Sequence, residues 1–581
     1  MQDSHGYTQT LAADLYVGKP PTLKQANAIF KNVPAPADSG FLRQQITHID
    51  RCLDFQLELG LNGGNERAMD SWNQMDLCQK YARWRTGLAN APSPYQKIMP
   101  LPKDIRLVHG NPFSMAARIG LIDSSSGACQ ADADRLCADL AAKTRLVPGS
   151  ALPESNIVMC LNKQLELAEE AYVLRVRENR ITVTAAKAAG LHNGLITLRH
   201  LLMANSVLPA ADILDYPSQA HRCAFQHWSV PMTAEDKRRL LEYIDLKYNE
   251  IVVYTSGYFK LDDPAVRKGL EEYYRFLTGF CVEPIPTVWL SPETSELEGI
   301  ALMDEPVRFV RDTCRFDFQH LVDCESSRPW LHSQPGGGTT FAEGQDYSII
   351  SRQPPVLVRR SSGRIPANAP VYMNADLVDM RTHRFAKACP SEEKVYEKFS
   401  RDVARVVALF HPRKIHVNHD EIGVINSDSR CRKRGLTDVE LVAYQINRMR
   451  DVIKSVDANV DMIMWADAVN PYHNAGKKNL ERTCDLLYRD IIMAHWYYDA
   501  DDYEQVDLLR LGSKFFLERG FRMYGCPWDD LSNHKTWENV LADYQSDPQL
   551  LGLMSTQWGD RTEGITQTGI SNWEDKSWLR K

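Results

Sequence analysis

The sequence predicts a (β/α)8 TIM-like barrel over residues 214–581, preceded by a small α+β domain over 97–213 and an N-terminal helical segment over 1–96. Three observations carry this reading. With 581 residues the chain is too long for one ordinary core. From about residue 214 onward, short β-rich runs alternate regularly with amphipathic helical stretches, the pattern of a parallel sheet covered by helices. One of those runs, "KIHVNHDEIGV" (414–424), ends in two adjacent acids, Asp420 and Glu421. Like charges side by side need a reason, and the C-terminal end of a barrel strand supplies one, because barrel chemistry sits there.

The N-terminal segment reads as helical because Leu42, Ile46, Ile49, Leu53 and Leu57 recur at spacings of three or four before Pro92 and Pro94 break the pattern. In the next domain, "AYVLRVRENRITVTAAKAAGLHNGLITLRHLL" (171–202) gives two alternating strands around a turn at Glu178-Asn179 and then a helix. That domain has no clustered acids and reads as a structural module.

In the barrel region the predicted strands are 250–256, 282–290, 414–421, 460–467, 490–497, 522–528 and 550–558. The stretch 391–410 is a helix with Ser391 as its N-cap and a stripe of Val395, Phe399, Val403, Val406 and Phe410. Thr437 and Glu440 form the capping box of the next helix. "HSQPGGGTTF" (332–341) lacks the Gly-Lys-Ser/Thr ending of a phosphate loop and is expected to be a flexible barrel loop.

The composition, 44% hydrophobic and 25% charged, is that of a globular chain. A formal net charge of -7 argues against a nucleic-acid partner, and the basic cluster "RCRKRG" (430–435) reads as a solvated loop. No run approaches the roughly 18–20 apolar residues of a membrane span, so no membrane partner is expected. The N-terminus shows no signal peptide, and the 13 cysteines are scattered without a CxxC pair. Reduced cysteines in a cytoplasmic protein fit this pattern; a processed secreted form would look the same. No metal and no cofactor are predicted, and the oligomeric state is left open.

Residues at or just past the predicted strand ends repeat a few types: Trp289, Asp420, Glu421, Trp465, Asp467, Trp496, Tyr524, Trp528, Trp558 and Asp560. A single tryptophan there would be core. An aromatic wall with carboxylates set into it suits a sugar, whose apolar ring faces stack on indoles and whose hydroxyls bond to carboxylates. Crowding raises one carboxyl of a close pair, which can then act as a general acid at neutral pH. Ordinary glycosidase pairs need carboxyls about 5–5.5 Å or 6.5–9.5 Å apart, normally from different strands. Sequence neighbours fit better where the substrate itself is the nucleophile. His416 and His419, flanking the pair, read as core histidines or as supports that orient it.

Taken together, these stretches resemble the family 20 glycoside hydrolases, the β-N-acetylhexosaminidases, over roughly residues 97–560. "EKVYEKFSRDVARVVALFHPRKIHVNHDEIGV" is similar to the family's helix, strand and His-x-Gly-Gly-Asp-Glu motif. Residues 171–202 look like the end of the small domain that precedes the family's barrel, and "ILDYPSQAHRC" (213–223) looks like the entry into it. The resemblance implies substrate-assisted retaining hydrolysis in which the 2-acetamido oxygen attacks C1. It implies that Glu421 is the general acid and base and that Asp420 orients the acetamido group. It gives substrate contacts to Arg222, Trp465, Trp496, Tyr524, Trp558 and Asp560, with an N-acetylhexosamine-containing glycan as the partner.

The departures are specific. Asn418 and His419 replace the two glycines of the motif, and Tyr524-Gly525-Cys526 lacks the acid of the family's Tyr-x-Asp. Two alternatives therefore stand beside the hydrolase: a glycan-binding protein that kept the fold without turnover, and a related acetamido-assisted N-acetylgalactosaminidase.

Overall fold

The computed structural model describes residues 94–574, apart from 154, 323–329, 382–386, 499–502, 530, 545 and 560–562. The N-terminal helical segment, up to residue 93, and Asp560 lie outside the described residues.

The first domain is a seven-stranded mixed sheet. The hairpin predicted from sequence forms its centre, with Tyr172–Arg177 antiparallel to Arg180–Ala185. Alternation puts Tyr172, Leu174, Val176, Ile181 and Val183 on the buried face. Helix Ala188–Ala204 covers that face. It lies so close that a Cβ on Gly194 would come within 2.4 Å of Val183, so glycine sets the approach.

The barrel strands are β1 (Cys223–His227), β2 (Glu250–Tyr254), β3 (Glu283–Pro286), β4 (Lys414–His416), β5 (Asp461–Trp465), β6 (Ile492–Trp496), β7 (Met523–Cys526) and β8 (Leu550–Gln557). They pair in parallel in the order β3-β2-β1-β8-β7-β6-β5-β4. A bridge between Thr287 and His416, with Val288 N–H donating to His416 C=O at 3.0 Å, joins the two ends. This is the TIM-like barrel that the alternating pattern predicts. Its strands read as continuous apolar runs because both faces are covered; β8 is buried along its whole length. Phe225, Val252, Ile285, Ile463, Ile492 and Met554 fill the interior. Strand β1 was not singled out by the sequence, because CAFQH is short and alternates weakly.

Helices follow most strands: Ala234–Asp245, Pro264–Gly279, Glu393–Phe410, Asp438–Val456, Tyr503–Glu518, Leu531–Tyr544 and Glu563–Trp573. Thr437 and Glu440 do form a reciprocal capping box. The N-cap of Glu393–Phe410 is Glu392, not Ser391, whose hydroxyl points instead toward the Cys431 sulfur. Among the described residues, β5 and β6 are connected by 3-10 turns rather than an α-helix. None of the described helices is long and apolar enough to cross a membrane.

One feature is absent from the sequence reading. Between β3 and β4 the chain builds a β lobe of its own, from Ile300–Val307 to Val371–Asp379, with a five-stranded and a three-stranded sheet. Leu331, Phe341, Tyr347, Leu357 and Met373 form its separate core. The glycine run that was expected to be a flexible loop is the turn of a hairpin in this lobe, between Trp330–Gln334 and Gly337–Phe341. The lobe rests on the segment that follows β4: Ala301 N–H donates to Ser427 C=O at 2.9 Å, and Ser429 Oγ donates to Asp376 Oδ1 at 2.9 Å.

Candidate active site

The site is built around the end of β4, which stops at His416. The chain then turns through left-handed conformations at Asn418 (φ 56°), His419 (φ 70°) and Glu421 (φ 48°). These include the two positions where the family motif carries glycine, and L-residues other than asparagine adopt this region at a cost of about 1–2 kcal/mol. The turn is held by specific bonds. Asn418 N–H donates to His416 Nδ1 at 3.1 Å, Trp465 N–H to Asn418 C=O at 2.9 Å, and Glu421 N–H to Asp467 Oδ2 at 2.9 Å. The end of β5 therefore fixes where Asp420 and Glu421 stand.

Glu421 is exposed at the mouth. Asp420 is half-buried, and its Oδ1 lies 3.8 Å from Lys387 Nζ. Burial raises the Asp420 carboxyl above the usual range, Lys387 opposes the rise, and Asp467 adds to it as a like charge. Asp467 is fully buried, and that burial also raises it. Asp467 accepts from Asn474 Nδ2 at 2.8 Å and from the indole of Trp496 at 3.3 Å. The like charge that acts on Asp420 thus comes from the neighbouring strand end.

Aromatic faces from several strands surround these acids. Trp465 lies 6.2 Å from Trp558 between ring centroids, and both pack on Phe225. Trp558 is 49% exposed and donates through its indole to Tyr498 Oη at 2.9 Å. Tyr498 packs in turn on Trp496 at 4.8 Å and on Trp528 at 5.6 Å. The structure therefore brings Trp465, Trp496 and Trp558 to one mouth with Asp420 and Glu421. His416 packs against Phe225 and Trp465 in full burial, which holds its imidazole neutral with a pKa of about 3. His419 bonds Gln445 at 3.0 Å. Both rings shape the turn, and neither is bonded to the acids.

Two predicted substrate residues are elsewhere. Arg222 precedes β1, at the opposite end of the barrel, and is 1% exposed. Its guanidinium forms a two-pronged pair with Glu170 of the first domain and donates to Lys247 C=O at 2.6 Å. Buried and engaged in this way, it ties the first domain to the barrel rather than facing the mouth. Beside it Lys247 pairs with Asp215 at 2.9 Å in full burial, under the Trp573 ring.

Tyr524 is also displaced. It lies inside the lower barrel and donates to Glu250 Oε2 at 2.6 Å. Glu250 is held further by Lys414 at 2.5 Å and His221 at 2.6 Å, and these partners keep it ionised despite burial. Strand alternation explains the difference: the interior position nearest the mouth on β7 is two residues on, at Cys526.

Residues that sequence reasoning did not assign to the site are Asp467, Lys387, Tyr254 and Tyr498. Asp467 carried a visible signal, an acid two residues after a strand-ending tryptophan. Lys387 carried none, because its arrival at Asp420 depends on how the lobe returns to the barrel. Tyr254, at the end of β2, packs between Phe225 and Trp289; burial raises its hydroxyl, and the nearby Asp420 charge adds to the rise.

The site as a whole holds three carboxyls, two of them buried enough to be shifted, against indole and phenol faces. Such a mouth can exchange protons with a bound sugar and stabilise positive charge developing on it.

Known proteins agree with this architecture. The model of "Glycosyl hydrolase family 20, domain 2" matches residues 95–216, the first domain. No curated protein sequence matches the chain significantly. Among solved structures, the N-acetyl-β-hexosaminidase of Streptomyces plicatus, in complex with thio-NAglucal, is 13% identical with a TM-score of 0.53, over 85% of this chain and 94% of that one. The GH20 β-N-acetylhexosaminidase of Streptomyces coelicolor is 14% identical with a TM-score of 0.53, over 84% and 94%. The GH20 exo β-N-acetylglucosaminidase of Vibrio harveyi, in complex with N-acetylglucosamine, is 15% identical with a TM-score of 0.52, over 83% and 74%. In fold and domain content the chain is similar to the family 20 β-N-acetylhexosaminidases: its first domain matches the family's domain 2, and the chain shares the overall fold of their solved structures.

Proposed function

We propose that the chain removes β-linked N-acetylhexosamine from a glycan, with the substrate's own 2-acetamido oxygen as the nucleophile. The observation that carries this reading is the Asp420-Glu421 pair at the end of β4, set among indole faces at the barrel mouth. A carboxylate nucleophile needs a partner acid across the sugar from it, and two neighbours on one turn do not offer that. Glu421 protonates the glycosidic oxygen as the acetamido oxygen closes on C1, and afterwards takes a proton from the water that opens the ring. Asp420 acts as an anion, accepting the acetamido N–H and stabilising the cyclic cation. Trp465, Trp496 and Trp558 supply apolar faces for the acetamido methyl and the pyranose ring. The ligands named for the Streptomyces plicatus and Vibrio harveyi enzymes support a carbohydrate partner.

The diversion of Arg222 to Glu170 and of Tyr524 to Glu250 removes two expected sugar contacts, and this favours a second reading, a glycan-binding protein without turnover. One experiment separates the readings. Chromogenic N-acetylglucosaminide and its galacto epimer are offered together with the plain glucoside, and a thiazoline analogue is tested as an inhibitor. The proposal expects acetamido sugars to turn over, the glucoside to be almost inert, and the thiazoline to bind more tightly than substrate because it mimics the intermediate. Equal cleavage of the glucoside overturns the mechanism. Binding of acetamido sugars without turnover establishes the second reading, and the preference between the epimers decides between the glucosaminidase and the galactosaminidase.

A further inference from the structure

Behind the loop that carries Asp420 and Glu421, two cysteines distant in sequence meet in a closed environment. Cys389 lies on the segment returning from the β lobe, and Cys431 lies in the short helix Ser429–Arg432 that ends the loop. Their sulfurs are 3.4 Å apart, and both side chains are fully buried. Asp428 Oδ1 lies 3.9 Å from the Cys389 sulfur, so the three side chains could be taken for a metal site.

The surroundings argue against a cation. Asp428 Oδ2 is already bound by Arg430 at 2.6 Å and by Gly299 N–H at 3.2 Å. Its Oδ1 caps the helix by accepting Cys431 N–H at 3.0 Å. A guanidinium at the carboxylate repels a metal ion, and structural zinc takes four ligands where, among the described residues, three converge. The thiols have no such conflict: they are in contact with each other, and Ser391 Oγ adds a donor to the Cys431 sulfur at 3.4 Å.

We propose that Cys389 and Cys431 form a disulfide that staples the returning segment to the helix after the catalytic loop. Electrons and protons balance through a low-molecular-weight disulfide such as oxidised glutathione. The Cys431 thiolate, favoured by the hydrogen bond from Cys389, attacks it and releases one thiol. The Cys389 thiolate then attacks the mixed disulfide and releases the second, leaving one protein S–S bond and two reduced small thiols. Burial confines this exchange to the folding chain or to a transient opening. Once made, the bond closes the loop containing helix Glu393–Phe410, strand β4 and the Asp420-Glu421 turn. It thereby ties the segment returning from the lobe to the far end of the turn that carries the acids. This inference stands independently of the glycosidase reading.

The full chain is refolded in a glutathione redox buffer, alkylated under denaturing conditions and digested without reductant. The expected result is a linked peptide pair containing Cys389 and Cys431. Melting should fall by at least about 5 °C on reduction in the wild-type chain, with no reductant effect of this kind in Cys389→Ser. Peptide mapping of the wild-type chain does not depend on the variant folding. Full alkylation of both thiols in the oxidised sample overturns the proposal. One equivalent of zinc bound to the wild-type chain and lost in Cys389→Ser overturns it in favour of the metal site.

Discussion

Replacing Lys387 with methionine removes the cation that faces Asp420 and leaves the stem length nearly unchanged. In the proposed mechanism Asp420 must be an anion, yet burial raises its carboxyl and Asp467 raises it further; among the described residues, Lys387 acts in the other direction through charge. Tyr254 and Tyr498, two phenols that feel the Asp420 charge, are neutral across the working range because burial lifts both. At the 3.8 Å separation, Coulomb's law gives about 1.1 kcal/mol in a water-like dielectric and about four times that at an effective constant near 20. The two side chains are 36% and 32% exposed, so solvent screening places the pair at the weak end, about 1 kcal/mol. That corresponds to roughly 0.8 of a pH unit. The sign follows directly. Without the cation the Asp420 carboxyl titrates at higher pH, so less of it is ionised in mild acid, and the acid limb of kcat/KM moves toward neutrality. The assay is the pH profile of kcat/KM on a chromogenic N-acetylhexosaminide for the wild-type chain, Lys387→Met and Lys387→Arg. The arginine variant should retain the wild-type limb. A methionine variant whose acid limb superimposes on the wild-type curve would refute the electrostatic role given to Lys387.

Three further outcomes are expected. Glu421→Gln should lower kcat on a poor-leaving-group substrate by at least about a hundredfold with melting unchanged, since general acid–base help is worth roughly 10²–10⁴; full activity would remove Glu421 from the mechanism. Arg222→Met breaks a buried pair and strands Glu170, which should destabilise the chain by about 3 kcal/mol in denaturant titration while KM stays unchanged; a raised KM in a stable variant would return Arg222 to the sugar. Tyr524→Phe leaves Glu250 one donor short and should cost about 1–3 kcal/mol in stability without changing kcat/KM, whereas a catalytic defect in a stably folded variant would contradict its placement in the lower barrel.

The residues alone determined a good deal of this molecule. Alternation of apolar runs with amphipathic helices is a local property of the chain, and a barrel covered on both faces writes it plainly, so the strands ending at Tyr254, Trp465, Trp496 and Gln557 were legible. So were the hairpin around Glu178-Asn179 and the Thr437 capping box, whose partners are a few residues apart. The carboxylate pair at 420–421 was legible because adjacency itself is unusual. What the sequence could not settle was direction. Whether Arg222 reaches the mouth or the domain joint depends on which end of β1 it precedes, and whether Tyr524 or Cys526 lies nearer the mouth depends on a register of one pair of residues, where each step changes face and height. The β lobe escaped because its short strands bury only one face and pair with partners far along the chain. Lys387 and the Cys389–Cys431 contact were invisible for the same reason. Each comes from a segment whose position is set by long-range packing, and only the folded chain decides which charges and thiols those segments bring together.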